Sequence, residues 1–158
     1  DGHLKSNLKN GLKVVMIREI KKTDLDDSFF SLLAQLSGEV TSYDVDRLWN
    51  EYTKNPNHIT FVDVVKEAGQ QERIAATSSV LIEDKFLHCG SRVGHIEDVV
   101  VDKDARGTGL GQKIVQHCID YSRDAGCYKV ILDCSNKNVP FYINCGMYLS
   151  ENCMRIDL

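Results

Sequence analysis

The sequence predicts an α/β fold built on a single mixed, mostly antiparallel sheet with flanking helices. Three observations carry that expectation. Residues 59–89 read as a meander of strands separated by polar turns. Residues 96–134 read as strand, loop, helix, strand, which implies a parallel pair joined by a right-handed crossover. The 158 residues contain no repeat, low-complexity segment or linker, so one domain is expected.

Residues 1–10 are polar and expected to be loosely ordered, leaving 11–158 as the domain. Residues 12–20 alternate as a first strand. Thr23 or Asp24 then caps a helix whose buried stripe is Phe29, Phe30, Leu33 and Leu36, with Gly38 at its end. A loop over 39–43 leads to a second helix carrying Val45, Leu48, Trp49 and Tyr52, stopped by Asn55-Pro56-Asn57, and Trp49 is expected in the core. The meander runs through strands at 59–65, 74–82 and a short one at 86–89. Val99, Val100 and Val101 form a β-branched run suited to a buried strand, and 102–104 supply the turn that stops it. Leu110, Ile114, Val115, Cys118 and Ile119 then recur at helical spacing up to Gly126. Residues 128–134 read as another strand. A short helix starts near Asn138 with Pro140 in its first turn, and Gly146 closes it before a last strand ending at Ile156.

Between the valine strand and its helix sit Arg106, Gly107, Thr108, Gly109, Leu110 and Gly111. Alternate glycines remove Cβ atoms that would hold a ligand off the backbone, and a helix start leaves N–H groups unpaired, so this is an anion cradle. A Walker loop needs Gly, four residues, Gly, Lys and Ser or Thr, which does not occur. The dinucleotide fingerprint needs a third glycine where Gln112 and Ile114 stand.

A formal net charge of -4 argues against a nucleic-acid partner, and no apolar run reaches membrane-spanning length. The six cysteines form no Cys-x-x-Cys pair, so no metal is expected. A chain of this size needs no disulfide framework, and reduced thiols in a cytoplasmic protein are the expectation.

Arg106-x-x-Gly109-x-Gly111 after a strand resembles the pyrophosphate-binding motif of the GCN5-related N-acetyltransferases, the GNAT family, where it holds coenzyme A. Gly94-His-Ile-Glu-Asp-Val-Val-Val101, Cys127-Tyr-Lys129, Leu132-Asp-Cys134 and Asn138-Val-Pro-Phe-Tyr142 are similar, in that order, to the branch of the family that acetylates glucosamine 6-phosphate. The resemblance implies a GNAT fold with a central splayed parallel strand pair, acetyl-CoA as co-substrate, a step of UDP-N-acetylglucosamine biosynthesis, and a homodimer. Two other readings stay open: the same fold acetylating a protein or polyamine amine, and a catalytically silent coenzyme A-binding module.

Moving an acetyl group from a thioester to an amine needs a neutral amine, an N–H for the tetrahedral oxyanion and a proton for the departing thiolate. If the valine strand splays from the next, the main chain of Val99, Val100 and Val101 can bind the thioester and pantetheine. With the loop Arg106 to Gly111, Gln112, Asn138 and Tyr142, these residues make the expected acetyl-CoA site. The resemblance makes Tyr142 the proton donor, and a phenol of reference pKa about 10 suits a thiolate leaving group. Strand alternation turns one of Glu97 and Asp98 toward the sugar amine and the other away. The resemblance places both in the sugar site and gives the main-chain carbonyl of Asp133 a part in orienting the amine. A sugar phosphate requires local cations. Here the resemblance points to Thr41, to Lys85, Phe86, Leu87 and His88, and to Tyr128 with Lys129. Arg155 is a further candidate, displaced from the family pattern. His95 and Cys134 suggest a base and a nucleophile, but direct transfer needs no thiol.

Overall fold

The computed structural model describes residues 13–38 and 43–158. Strands β1 (Lys13–Glu19), β2 (His58–Lys66), β3 (Arg73–Asp84) and β4 (Arg92–Val101) pair antiparallel in sequence order, and β5 (Cys127–Ile131) joins β4 in parallel at the sheet's edge. Helices α1 (Asp27–Ser37) and α2 (Val45–Thr53) lie between β1 and β2, and α3 (Leu110–Asp124), between β4 and β5, makes the crossover that a parallel pair requires.

Both faces of the sheet are covered around β2, which is why its Val-rich run is buried almost throughout. On one face Phe61, Val65, Ala76, Val80 and Ile96 pack with Leu110, Ile114, Val115 and Cys118, all four of these α3 residues being 0% exposed. That spacing is the helical stripe read from the sequence. Gly94 allows the close contact between α3 and β4, since a Cβ there would stand 2.5 Å from Ser122 Oγ. On the other face Val62 and Val64 pack with Ile20 and Phe29, and Trp49 and Tyr52 lean on this cluster. These aromatic residues come from α1 and α2, so Trp49 is half-buried core as expected. Asp63 sits in β2 with 0% exposure, and neither of its carboxyl oxygens has a hydrogen-bond partner among the described residues.

Several expectations are corrected. The first helix is capped by Asp26, which accepts from the Phe29 N–H at 2.9 Å, while Asp24 belongs to a preceding 3-10 turn and pairs with Arg18. Phe29 and Phe30 are buried as expected and Leu33 packs partly buried on the same cluster, but Leu32 is buried with them and Leu36 is 52% exposed. Residues 86–89 are not a strand. Leu87–Gly90 is one irregular helical turn in which His88 (φ 52°) and Cys89 (φ 58°) are left-handed, and the Lys85 N–H to Ser91 carbonyl bond closes a β3–β4 hairpin around it. β5 stops at Ile131 rather than 134. After the short helix α4 (Val139–Asn144), residues 147–158 make no strand. The physical reason is pairing: a strand needs a neighbouring edge, and among the described residues no strand edge pairs with that segment. The expectation for residues 1–10 lies outside the described residues.

Candidate active site

The parallel pairing of β4 with β5 runs only from Arg92↔Cys127 to His95↔Ile131. Pairing ends there because β5 stops at Ile131, so among the described residues β4 from Ile96 to Val101 has no strand partner on that side. This is the splayed pair that the family resemblance implied. A β-bulge shapes the same stretch, because Ser79 pairs with Glu97 while Thr77 pairs with Val100, and Asp98 takes φ 52° to absorb the extra residue. The bulge breaks the alternation expected of Glu97 and Asp98, and both side chains are exposed.

The glycine loop stands at the exit of β4. Gly107 (φ 75°) and Gly109 (φ 90°) are left-handed, and a Cβ on either would meet nothing within 4 Å, so the loop faces open space where a ligand can approach the main chain. The first bond of α3 runs from the Lys113 N–H to the Gly109 carbonyl at 3.1 Å. The N–H groups of Leu110, Gly111 and Gln112 therefore precede the helical ladder and face the cradle at the positive end of the helix dipole. Arg106 is pinned over the end of β4 by its Nε, which donates to the Val101 carbonyl at 3.1 Å. Two residues serve differently from the sequence reading. The Thr108 hydroxyl is spent on the Ala105 carbonyl, and the Leu110 side chain is 0% exposed, so each can offer only main chain. Val99 and Val101 pack on the α3 side, whereas Val100 is 4% exposed and likewise limited to its backbone. Gly111 is not a ligand-approach glycine: its missing Cβ makes room for the Phe141 ring, which would lie 3.1 Å away.

That contact brings α4 to the cradle. Asn138 stands at the N-cap position of α4 without a side-chain capping bond, and the Tyr142 ring lies edge-on to Phe141 at 4.9 Å. Tyr142 is half-buried, and its hydroxyl has no hydrogen-bond partner among the described residues. Burial, with Cys134 and Cys145 nearby, pushes its phenol up to about 12, away from the match to a thiol that the reference value suggested. Tyr142 also lines a cavity of about 610 Å³ between β5 and residues 146–153.

Three carboxylates, those of Glu97, Asp98 and Asp133, lie within electrostatic reach of one another. Burial pushes the Glu97 carboxyl up, helped by Asp98 and Asp133 and opposed by His95 and His58. Asp133 accepts from the Cys153 thiol at 3.3 Å. The Lys85–His88 hairpin meets β5: the His88 ring lies 4.7 Å from Tyr128, and the Lys129 ammonium sits 5.6 Å from the centre of the Tyr128 ring. Phe86 and Leu87 are fully or largely exposed at the tip. The expected phosphate set is thus partly assembled. Arg155 is not joined to it among the described residues and pairs instead with Asp157. Thr41 lies outside the described residues. Sequence reasoning missed Glu83, whose carboxylate bridges the Lys85 ammonium and the His95 Nε2, the latter at 2.7 Å. Only the β3–β4 register, which sets Glu83 opposite Val93, could have found it.

The profile of the Acetyltransferase (GNAT) family matches residues 23–147. A glucosamine 6-phosphate N-acetyltransferase of Arabidopsis thaliana is 45% identical over 134 residues, which cover 83% of this chain and 88% of that one. One from Candida albicans is 35% identical over 131 residues, covering 82% and 86%. The crystal structure of the Arabidopsis thaliana enzyme superposes with a TM-score of 0.79 at 40% identity, over 90% of this chain and 97% of that chain. With a family match across most of its length and with these relatives, the chain belongs to the GNAT family of acetyltransferases.

Proposed function

We propose that this protein transfers the acetyl group of acetyl-CoA directly to the amine of glucosamine 6-phosphate. The observation that carries the acceptor reading is the polarity of the site: the carboxylates of Glu97, Asp98 and Asp133 lie toward one end and the Lys85–His88 hairpin with Lys129 toward the other. An amino sugar bearing a phosphate has that polarity. Relatives named for this reaction support the same acceptor.

The cradle at Arg106, Gly107, Gly109 and the first N–H groups of α3 fits a pyrophosphate, and the open edge of β4 fits the pantetheine arm. Main-chain N–H groups near Val99 are placed to stabilise the oxyanion. Glu97 receives the amine proton, because a carboxyl held above its ordinary range is a better base than an ordinary one. The Asp133 carbonyl orients the amine, and Tyr142 donates to the sulfur as it leaves. All six cysteines are free, the state that a reducing compartment maintains, and we place the enzyme in the cytoplasm.

A thiol-release assay with acetyl-CoA tests the acceptor. Charge-assisted contacts supply about 1.5–3 kcal/mol each, so glucosamine 6-phosphate should exceed glucosamine in kcat/KM by on the order of 10²-fold. Comparable turnover of both sugars, or preference for a lysine peptide or spermidine, would reject the reading.

The enzyme is further proposed to be a homodimer. β5 is an open sheet edge beside the cavity, and Tyr148, Leu149, Met154 and Ile156 lie largely exposed in the segment that forms no strand in the single chain. Light scattering should report twice the chain mass of 17.8 kDa, and a monomer at micromolar concentration would remove the proposal.

A further inference from the structure

We propose that Glu83 and His95 are positioning residues that select for the phosphorylated sugar. The Glu83 carboxylate holds the Lys85 ammonium on one oxygen and the His95 imidazole, 2.7 Å away, on the other. Lys85 opens the hairpin at the phosphate end, and His95 lies two residues before Glu97 on β4, so one carboxylate ties together the two ends of the site. The tie crosses strands: on β3 Glu83 stands opposite Val93 and Leu81 opposite His95, so Glu83 and His95 are diagonal neighbours on paired strands. This assignment rests on the glucosamine 6-phosphate reading given above.

Stability does not account for the cluster. The three side chains are 26–40% exposed, and pairs in such surroundings add little to folding. Pre-organisation accounts for it better. A lysine ammonium has three donors, so Lys85 can hold Glu83 with one and still offer two to phosphate oxygens. With Lys85 already fixed, less side-chain freedom is lost when substrate binds. The imidazole bonded through Nε2 is likewise held in one orientation, two residues before Glu97 on the same strand.

The test is Glu83→Gln, which keeps size but loses the charge that holds Lys85. Its kcat/KM for glucosamine 6-phosphate should fall about tenfold, mostly through KM for the sugar, with KM for acetyl-CoA unchanged and the residual activity on glucosamine falling far less. The selectivity between the two sugars then narrows about tenfold. His95→Gln, which loosens the second anchor of the Glu83 carboxylate and so frees Lys85 in part, should narrow it in the same direction by a smaller factor, and it reads the tie from its other end if Glu83→Gln folds poorly. Equal losses on both sugars, or an unchanged selectivity in well-folded variants, would overturn the assignment while leaving the acceptor intact. A parent enzyme that does not prefer the phosphorylated sugar overturns the acceptor reading, and the positioning role with it.

Discussion

Asp63→Asn should be more stable than the parent at pH 8 and should lose most of that advantage at pH 5. Burial at the centre of β2 pushes the Asp63 carboxyl up to about 7, with Lys113 of α3 pulling in the opposite sense. In the unfolded chain the same group titrates near its reference value of about 3.9. A carboxyl with a raised folded pKa binds its proton more tightly when folded, so its favourable share of stability is complete below about 4 and is lost as pH rises through about 7. Between pH 5 and 8 that loss amounts to roughly 3 kcal/mol. The His117 imidazole acts with the opposite sign, because burial lowers its pKa and its share is lost on acidification. Comparison with Asp63→Asn removes that background. Urea denaturation of both proteins at pH 5, 6, 7 and 8 should show their stabilities diverging by about 3 kcal/mol, and parallel pH profiles would mean that Asp63 is hydrated or paired in solution.

What the sequence disclosed followed from local chemistry. Val99 to Val101, the α3 stripe and the loop Arg106-x-x-Gly109-x-Gly111 each carry their conformation in their residue types, and each stands where expected. Failures came where conformation depends on a partner distant in sequence. Phe86 to Cys89 has the apolar letters of a strand, but the chain reverses there through left-handed His88 and Cys89, which no glycine announces. The bulge at Asp98 is equally silent, since Asp both alternates in strands and tolerates left-handed backbone. The Glu83–His95 contact joins residues twelve apart and exists only because the hairpin register sets them on neighbouring strands. Asp63 reads as one polar position in a strand, and only packing on both faces turns it into a buried charge.

Tyr142→Phe should slow acetyl transfer by about 10²-fold and leave acetyl-CoA affinity within about twofold, at the lower end of what positioned acids supply. The lower end follows from the structure. A phenol pushed up to about 12 is a weaker acid than the thiol that forms. Reference thiols titrate near 8.5, so full proton transfer from Tyr142 to the thiolate is uphill by about three pKa units. Tyr142 therefore acts as a hydrogen-bond donor that strengthens as negative charge grows on sulfur, while the proton that neutralises the thiolate comes from elsewhere. The ring's contact with Phe141 survives the substitution, and the hydroxyl gives up no bond among the described residues, so the melting temperature should hardly move. Single-turnover rates at saturating acetyl-CoA, with affinity measured by calorimetry, separate the step from binding. A rate within twofold of the parent would return Tyr142 to a packing role. The parent's own pH profile supplies a second check: a phenol near 12 stays protonated through the working range, so Tyr142 should contribute no alkaline fall in rate below about pH 11. A limb near pH 9–10 that disappears in Tyr142→Phe would show instead that the hydroxyl ionises at an ordinary value and delivers its proton outright.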